Sequence, residues 1–324
     1  MSSVRLNNIR AQVREAGIQV LWRQWSVIGA SALSGEAKRA RAIIDPEALL
    51  LFSLYLMPAE RRLQEFIRWW ATVGSDLLSV QRTKTLARRF PSATKERLGV
   101  FAREAVSAGD NRWRRYASEP RKEENGRRTG SELKGADQPR LHPSPALVLR
   151  LRAGCGVTAK ADVLAYLLGL RERAATTQET ADATGYARVT VRGALIDLER
   201  AGFIRSSGRG VARYRAPEAP WAQVLQFGSE DTADDQEYNA PAWRYWSWLF
   251  PFLAYVDRWS SLELSAEGAY LLSSRARDLF EEYQPAFETC RIDVPRPGAY
   301  PGAAYLEAFE ETVSRTTDWV ADNV

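Results

Sequence analysis

The chain has 324 residues, 45% of them hydrophobic, and 45 Lys and Arg against 40 Asp and Glu, the makeup of a globular protein with room for two or three domains. Its two cysteines, Cys155 and Cys290, lie far apart and outside any CxxC pattern, which argues against a disulfide framework and a zinc site and fits a reducing cytoplasm. The first residues lack the apolar stretch of a signal peptide, and the most apolar segment, Trp246 to Val256, is about half the length that crosses a bilayer and contains Pro251, so no membrane association is expected.

The net charge of +5 conceals an asymmetry. Residues 1–150 hold 27 Lys/Arg against 15 Asp/Glu, residues 151–216 hold 11 against 6, and residues 217–324 hold 7 against 19. A basic front suits a polyanion. An acidic back repels one unless it docks onto the basic part or onto a protein partner.

In chain order, residues 1–116 read as a basic helical domain. Asp45 as N-cap and Pro46 at the first helical position open a helix in "DPEALLLFSLYLM". In "ERRLQEFIRWWATVG", Leu63, Phe66, Ile67 and Trp70 recur at helical spacing until Gly74 ends the pattern. Residues 117–146 carry charge, Gly and Pro but almost no large apolar side chains, and read as a flexible linker at a domain boundary.

Residues 147–216 read as a compact unit. "AKADVLAYLLGLRER" is an amphipathic helix, and "TTQETADATG" is a short helix with Thr176 and Glu179 at capping-box spacing. "ARVTVRGALIDLERAG" is a third helix closed by Gly202, and "FIRSSGRGVARYRAP" is two short strands around a Gly-containing turn. Residues 217–324 read as an acidic, aromatic, helical domain with a Pro/Gly loop at "DVPRPGAYPG". The tryptophan-rich run at 243–259 reads as core, with an aromatic ligand pocket as the lesser alternative.

The order helix, helix, helix, strand, turn, strand in 147–216 resembles the winged helix-turn-helix of bacterial transcription regulators. The similarity to the GntR-like and MarR-like groups lies in "TQETADATGYARVTVRGALIDLERAGFI" and the "SSGRGVARY" wing, about 60 residues. The resemblance implies a mainly α fold: a central winged helix-turn-helix, three helices plus a two-stranded wing, flanked by two helical domains. It implies double-stranded DNA as partner and a homodimer on paired half-sites.

Helical periodicity agrees independently. Val191, Ala194, Leu195 and Leu198 share one face of the third helix, and Arg188, Val189, Arg192 and Gly193 fall on or beside the other. Arginine binds guanine edges or phosphates, and a glycine admits close backbone approach. The candidate DNA-contacting set is Thr177, Gln178, Tyr186, Arg188, Val189, Thr190, Arg192, Gly193, Arg205, Arg209 and Arg213. Ile196 is a mild misfit, since the wheel leaves it outside the apolar face.

Enzymatic motifs are missing. The single histidine, His142, sits in the linker, no GxxxxGK[ST] occurs, and "VGSDLLSV" lacks a nearby D-x-D. The expectation is a nonenzymatic transcriptional repressor without cofactor or metal. The alternative is a protein-interaction module, such as the regulatory half of a toxin–antitoxin or phage-defence pair, that engages a partner through the acidic C-terminal part.

Overall fold

The computed structural model of the chain describes residues 3–30, 40–117, 137–227, 240–261, 268–302 and 304–324. These residues are mainly helical, with one small three-stranded antiparallel sheet. The N-terminal part contributes α1 (Ser3–Val27), α2 (Pro46–Leu56), α3 (Arg62–Val73), α4 (Val80–Ala87), α5 (Ser92–Ser107) and a 3-10 turn at Asn111–Tyr116.

The local signals act as read. The Asp45 carboxylate accepts the Ala48 N–H at 3.1 Å with Pro46 in the first helical position. Leu63, Phe66, Ile67 and Trp70 all face inward from α3. The helix ends at Gly74, where only glycine fits, because a Cβ would lie 2.5 Å from the Trp70 ring.

After the central segment come α10 (Glu218–Leu225), α11 (Trp246–Trp259), α12 (Ala269–Glu282), α13 (Gln284–Cys290) and α14 (Ala304–Asp322). The expected separation of residues 1–116 from 217–324 is corrected here. Helix α1 packs along α2, α11 and α14, and both ends of the chain share one core. Phe52 of α2 stacks on Phe250 of α11 with ring centroids 4.7 Å apart. Nearly every side of α11 is apolar and buried, so neither end of the chain can satisfy its helices alone.

Charge follows the same path, and the acidic part docks onto the basic part. Asp257 of α11, almost fully buried, accepts hydrogen bonds from Arg14 Nε and the Tyr55 hydroxyl, both at 2.6 Å, with Arg10 Nε 3.5 Å away. Pro251 sits inside α11 and cannot donate to the Ser247 carbonyl one turn back. Arg89 reaches that carbonyl at 3.5 Å while its guanidinium lies 3.7 Å from the Trp248 ring centroid.

The linker expectation changes as well. Residues 118–136 lie outside the described residues, but 137–146 are tied to the N-terminal segment: Pro145 and Ala146 are buried, Arg140 N–H donates to the Ile28 carbonyl at 2.9 Å, and the Pro145 carbonyl accepts from Ile44 N–H at 2.9 Å. Backbone pairing with the N-terminal segment orders a stretch whose side chains alone gave no such sign.

The central segment holds α6 (Leu147–Cys155), α7 (Ala159–Gly169), β1 (Ala175–Thr176), α8 (Thr177–Thr184), α9 (Arg188–Arg200), β2 (Arg205–Ser207) and β3 (Arg213–Arg215). β3 lies between β1 and β2, with Tyr214 opposite both Ala175 and Ser206. Sequence periodicity missed β1 because two residues carry no period. A second core built on α6, α7, α8 and α9 also takes in Ile43, Ala240 and Trp243 from outside the segment.

Candidate nucleic-acid interface

The apolar face of α9 is buried as periodicity requires: Val191, Ala194, Leu195 and Leu198 pack toward α7 and α8. Two turns prepare its entry. Thr176 Oγ1 accepts the Glu179 N–H at 3.2 Å, and the Glu179 carboxylate accepts the Thr176 N–H at 2.6 Å, closing a capping box on α8. Gly185 then adopts φ +74°, the left-handed conformation that reverses the chain toward α9. At the far end, Lys160 Nζ pairs with Asp197 at 2.8 Å and ties α9 to the start of α7.

The opposite face of α9 is open. Arg188, Val189, Thr190, Arg192 and Gly193 are exposed, Val189 to 79%. Ile196, the misfit of the helical wheel, is 43% exposed. Arg188 and Arg192 make no ion pair or hydrogen bond among the described residues. The same holds for Arg205 and Arg209, exposed on and just beyond β2. Arg213 is different, because it donates to the Ala174 carbonyl at 3.1 Å and pairs with Glu179 at 3.3 Å. Gln178 is exposed with its amide nitrogen 2.9 Å from the Asp182 carboxylate, and Thr177 is half-buried.

Tyr186 is half-buried and turned inward. Its hydroxyl donates to Asp162 Oδ2 at 2.9 Å, and burial, followed by the Asp162 charge, pushes the phenol pKa upward. The residue braces the turn against α7 and does not join the exposed group.

Three features of α9 run against helix stability. Its N-cap is Ala187, which offers no side-chain acceptor, and its first turn has no acidic residue. The helix instead places Arg188 at the end where the macrodipole is already positive. Gly193 occupies the middle although a Cβ there would meet nothing within 4 Å. A helical glycine without a steric reason costs roughly 0.5–1 kcal/mol. The combination leaves free N–H donors, two unpaired guanidinium groups and a low-relief backbone on one surface, which is what an incoming anion needs.

A buried ionic cluster fixes the turn before α9. The Arg82 guanidinium grips Asp45 through Nη1 and Nη2, both at 2.6 Å, contacts Glu47, and donates through Nε to the Thr184 carbonyl at 2.6 Å. Arg152 binds Asp162 at 2.7 and 2.6 Å, reaches Glu47, and donates to the Leu77 carbonyl at 2.9 Å. All five charged side chains are at most 3% exposed. Burial alone would raise the Glu47 carboxyl, but Arg152 and Arg82 outweigh it and hold its pKa at about 2.

Comparison of the chain with protein-family models, curated proteins and solved structures finds no match.

The sequence reading missed this cluster. Its signal was present: Arg152 in "LVLRLRAGC", Asp162 in "KADVLAYLLG" and Glu47 in "PEALLLF" are charges inside apolar helical runs. A charge in such a run requires a buried partner of opposite sign. The identity of the partner depends on the packing of α2, α4, α6 and α7.

Proposed function

We propose that the chain is a sequence-specific, double-stranded-DNA-binding transcriptional regulator of the winged helix-turn-helix type, acting without enzymatic activity as a repressor that occludes a promoter. The observation that carries the reading is the outward face of α9. Arg188 and Arg192 stand there unpaired beside Val189, Thr190 and Gly193, on a helix whose uncapped, positively charged N-terminal end is destabilised in the absence of a polyanion. In this reading α9 enters the major groove with its N-terminal residues on the base edges. Arg188 and Arg192 address guanine or phosphate, and Val189 addresses a thymine methyl. The strands β2 and β3 form the wing, whose Arg205 and Arg209 take the flanking phosphates. Arg213 serves it indirectly by holding β3 to α8. A homodimer would place two copies of α9 on paired half-sites.

A second reading has a separate observation behind it. Tyr270 and Leu271 on α12 and Tyr300 in the neighbouring loop are 75%, 42% and 40% exposed within the acidic part of the chain. Exposed apolar side chains of this kind suit a protein partner, with α9 serving autoregulation.

The test is a titration of the protein onto the DNA upstream of its own gene and onto scrambled DNA of equal length, over a range of salt. The regulator reading expects a preference of about 10³-fold or more and a steep salt slope. Equal, weak binding to both DNAs refutes sequence-specific recognition and transfers the case to the protein-partner reading.

A further inference from the structure

A cavity of about 270 Å³ lies between α4, α5 and the 3-10 turn at 111–116, with no residue of α9 in its walls. Its walls are apolar, with Leu98, Trp113 and Tyr116 among them, and three cations stand around it: Lys84, Arg88 and Lys95. All three are exposed, and Arg88 and Lys95 make no ion pair among the described residues. The Lys84 ammonium stands 5.6 Å from the Tyr116 ring centroid, which draws it over the aromatic wall.

Trp113 lines the cavity and is otherwise sealed in, at 1% exposure. Edge-on packing against Phe101, with centroids 5.1 Å apart, helps hold the ring in place.

We propose that this cavity binds a small amphipathic carboxylate. The ligand's apolar body fills the space against Leu98, Trp113 and Tyr116, and its carboxylate meets Lys84, Arg88 and Lys95. The volume lies just below the range of drug-sized ligand sites, about 300–1,000 Å³, which selects a single ring or a short chain. Occupancy also reaches the DNA-facing segment. The outer residues of α4 line the cavity, and Arg82 on its inner side holds the Thr184 carbonyl at the turn into α9. This regulatory consequence rests on the DNA-binding reading, whereas binding itself does not.

The experiment is a fluorine NMR titration of the full chain with 4-fluorophenylacetate, 4-fluorobenzoate and the neutral 2-(4-fluorophenyl)ethanol. At least one acid is expected to saturate, with the alcohol about tenfold weaker or more. The surface variant Lys84→Ala/Lys95→Ala is expected to melt like the parent yet bind that acid no better than the alcohol. Failure of both acids to saturate in the millimolar range, equal binding of acid and alcohol, or unchanged acid affinity in the Lys84→Ala/Lys95→Ala variant overturns the site. Hydrogen exchange at residues 182–188 is expected to slow under saturating acid. Unchanged exchange there overturns the link to α9.

Discussion

Gly193→Ala separates a helix built for a ligand from one that merely tolerates a glycine. An ideal Cβ at 193 meets no atom within 4 Å, and the position is exposed in the middle of α9. Replacing it with alanine removes backbone entropy from the unfolded chain and adds no clash. The gain is about 0.5–1 kcal/mol, a rise of about 1–4 °C in melting temperature for a unit of this size. If α9 lies against DNA at this point, the same methyl group occupies the space that the groove or a phosphate needs. Specific affinity then falls about tenfold or more, roughly 1.4 kcal/mol in the opposite sense. Gly154, exposed near the end of α6 with equally open surroundings, is the internal control: Gly154→Ala is expected to stabilise somewhat less and leave DNA affinity alone. Melting by calorimetry and binding by fluorescence anisotropy supply the two readouts. A Gly193→Ala variant that is more stable and binds DNA as tightly as the parent refutes the close approach of α9 to DNA at this position. A destabilised variant refutes the argument about the helix itself.

Arg192→Ala is expected to weaken specific binding by about 1–3 kcal/mol and to relax the base preference at one position. An equal loss on every sequence would identify a phosphate contact instead. Tyr186→Phe is expected to lower stability by about 1–3 kcal/mol, the range for a hydrogen bond to a charged group, while DNA affinity measured below the melting range stays unchanged. A selective loss of DNA affinity would place Tyr186 at the interface. Glu47 provides the pH test. Its carboxyl is depressed from 4.5 to about 2, so its contribution is fully present above pH 4.5 and is lost as pH falls toward 2. That contribution is on the order of 3 kcal/mol. Glu47→Gln is expected to be less stable at neutral pH and to show a flatter acid limb in denaturant titrations. An acid limb parallel to that of the parent would remove Glu47 from the cause.

Elements with a period or a cap were legible in the chain. Val191, Ala194, Leu195 and Leu198 could only be a buried stripe, and their spacing alone turns Arg188 and Arg192 outward. Asp45 with Pro46, Thr176 with Glu179, and Gly185 fixed where helices begin and reverse, because these signals act within four residues. The exposed half of the candidate site was therefore readable before any coordinates. Its arginines were not equally readable, since Arg213 and Arg209 look alike in "GRGVARY" and only the position of Glu179 beside β3 distinguishes the paired one.

Partners distant in sequence were decided by tertiary structure. A charge in an apolar run, such as Arg152, shows that a partner must exist, but Asp162 and Glu47 come to it from ten and 105 residues away. The same distance effect united the two ends of the chain. Composition shows that 1–116 is basic and 217–324 acidic, yet a shared core is the outcome of α1 lying along α11 and α14. Hydrophobic burial has no direction or address of its own, so the sequence specified which faces must be covered and the packed chain determined what covers them.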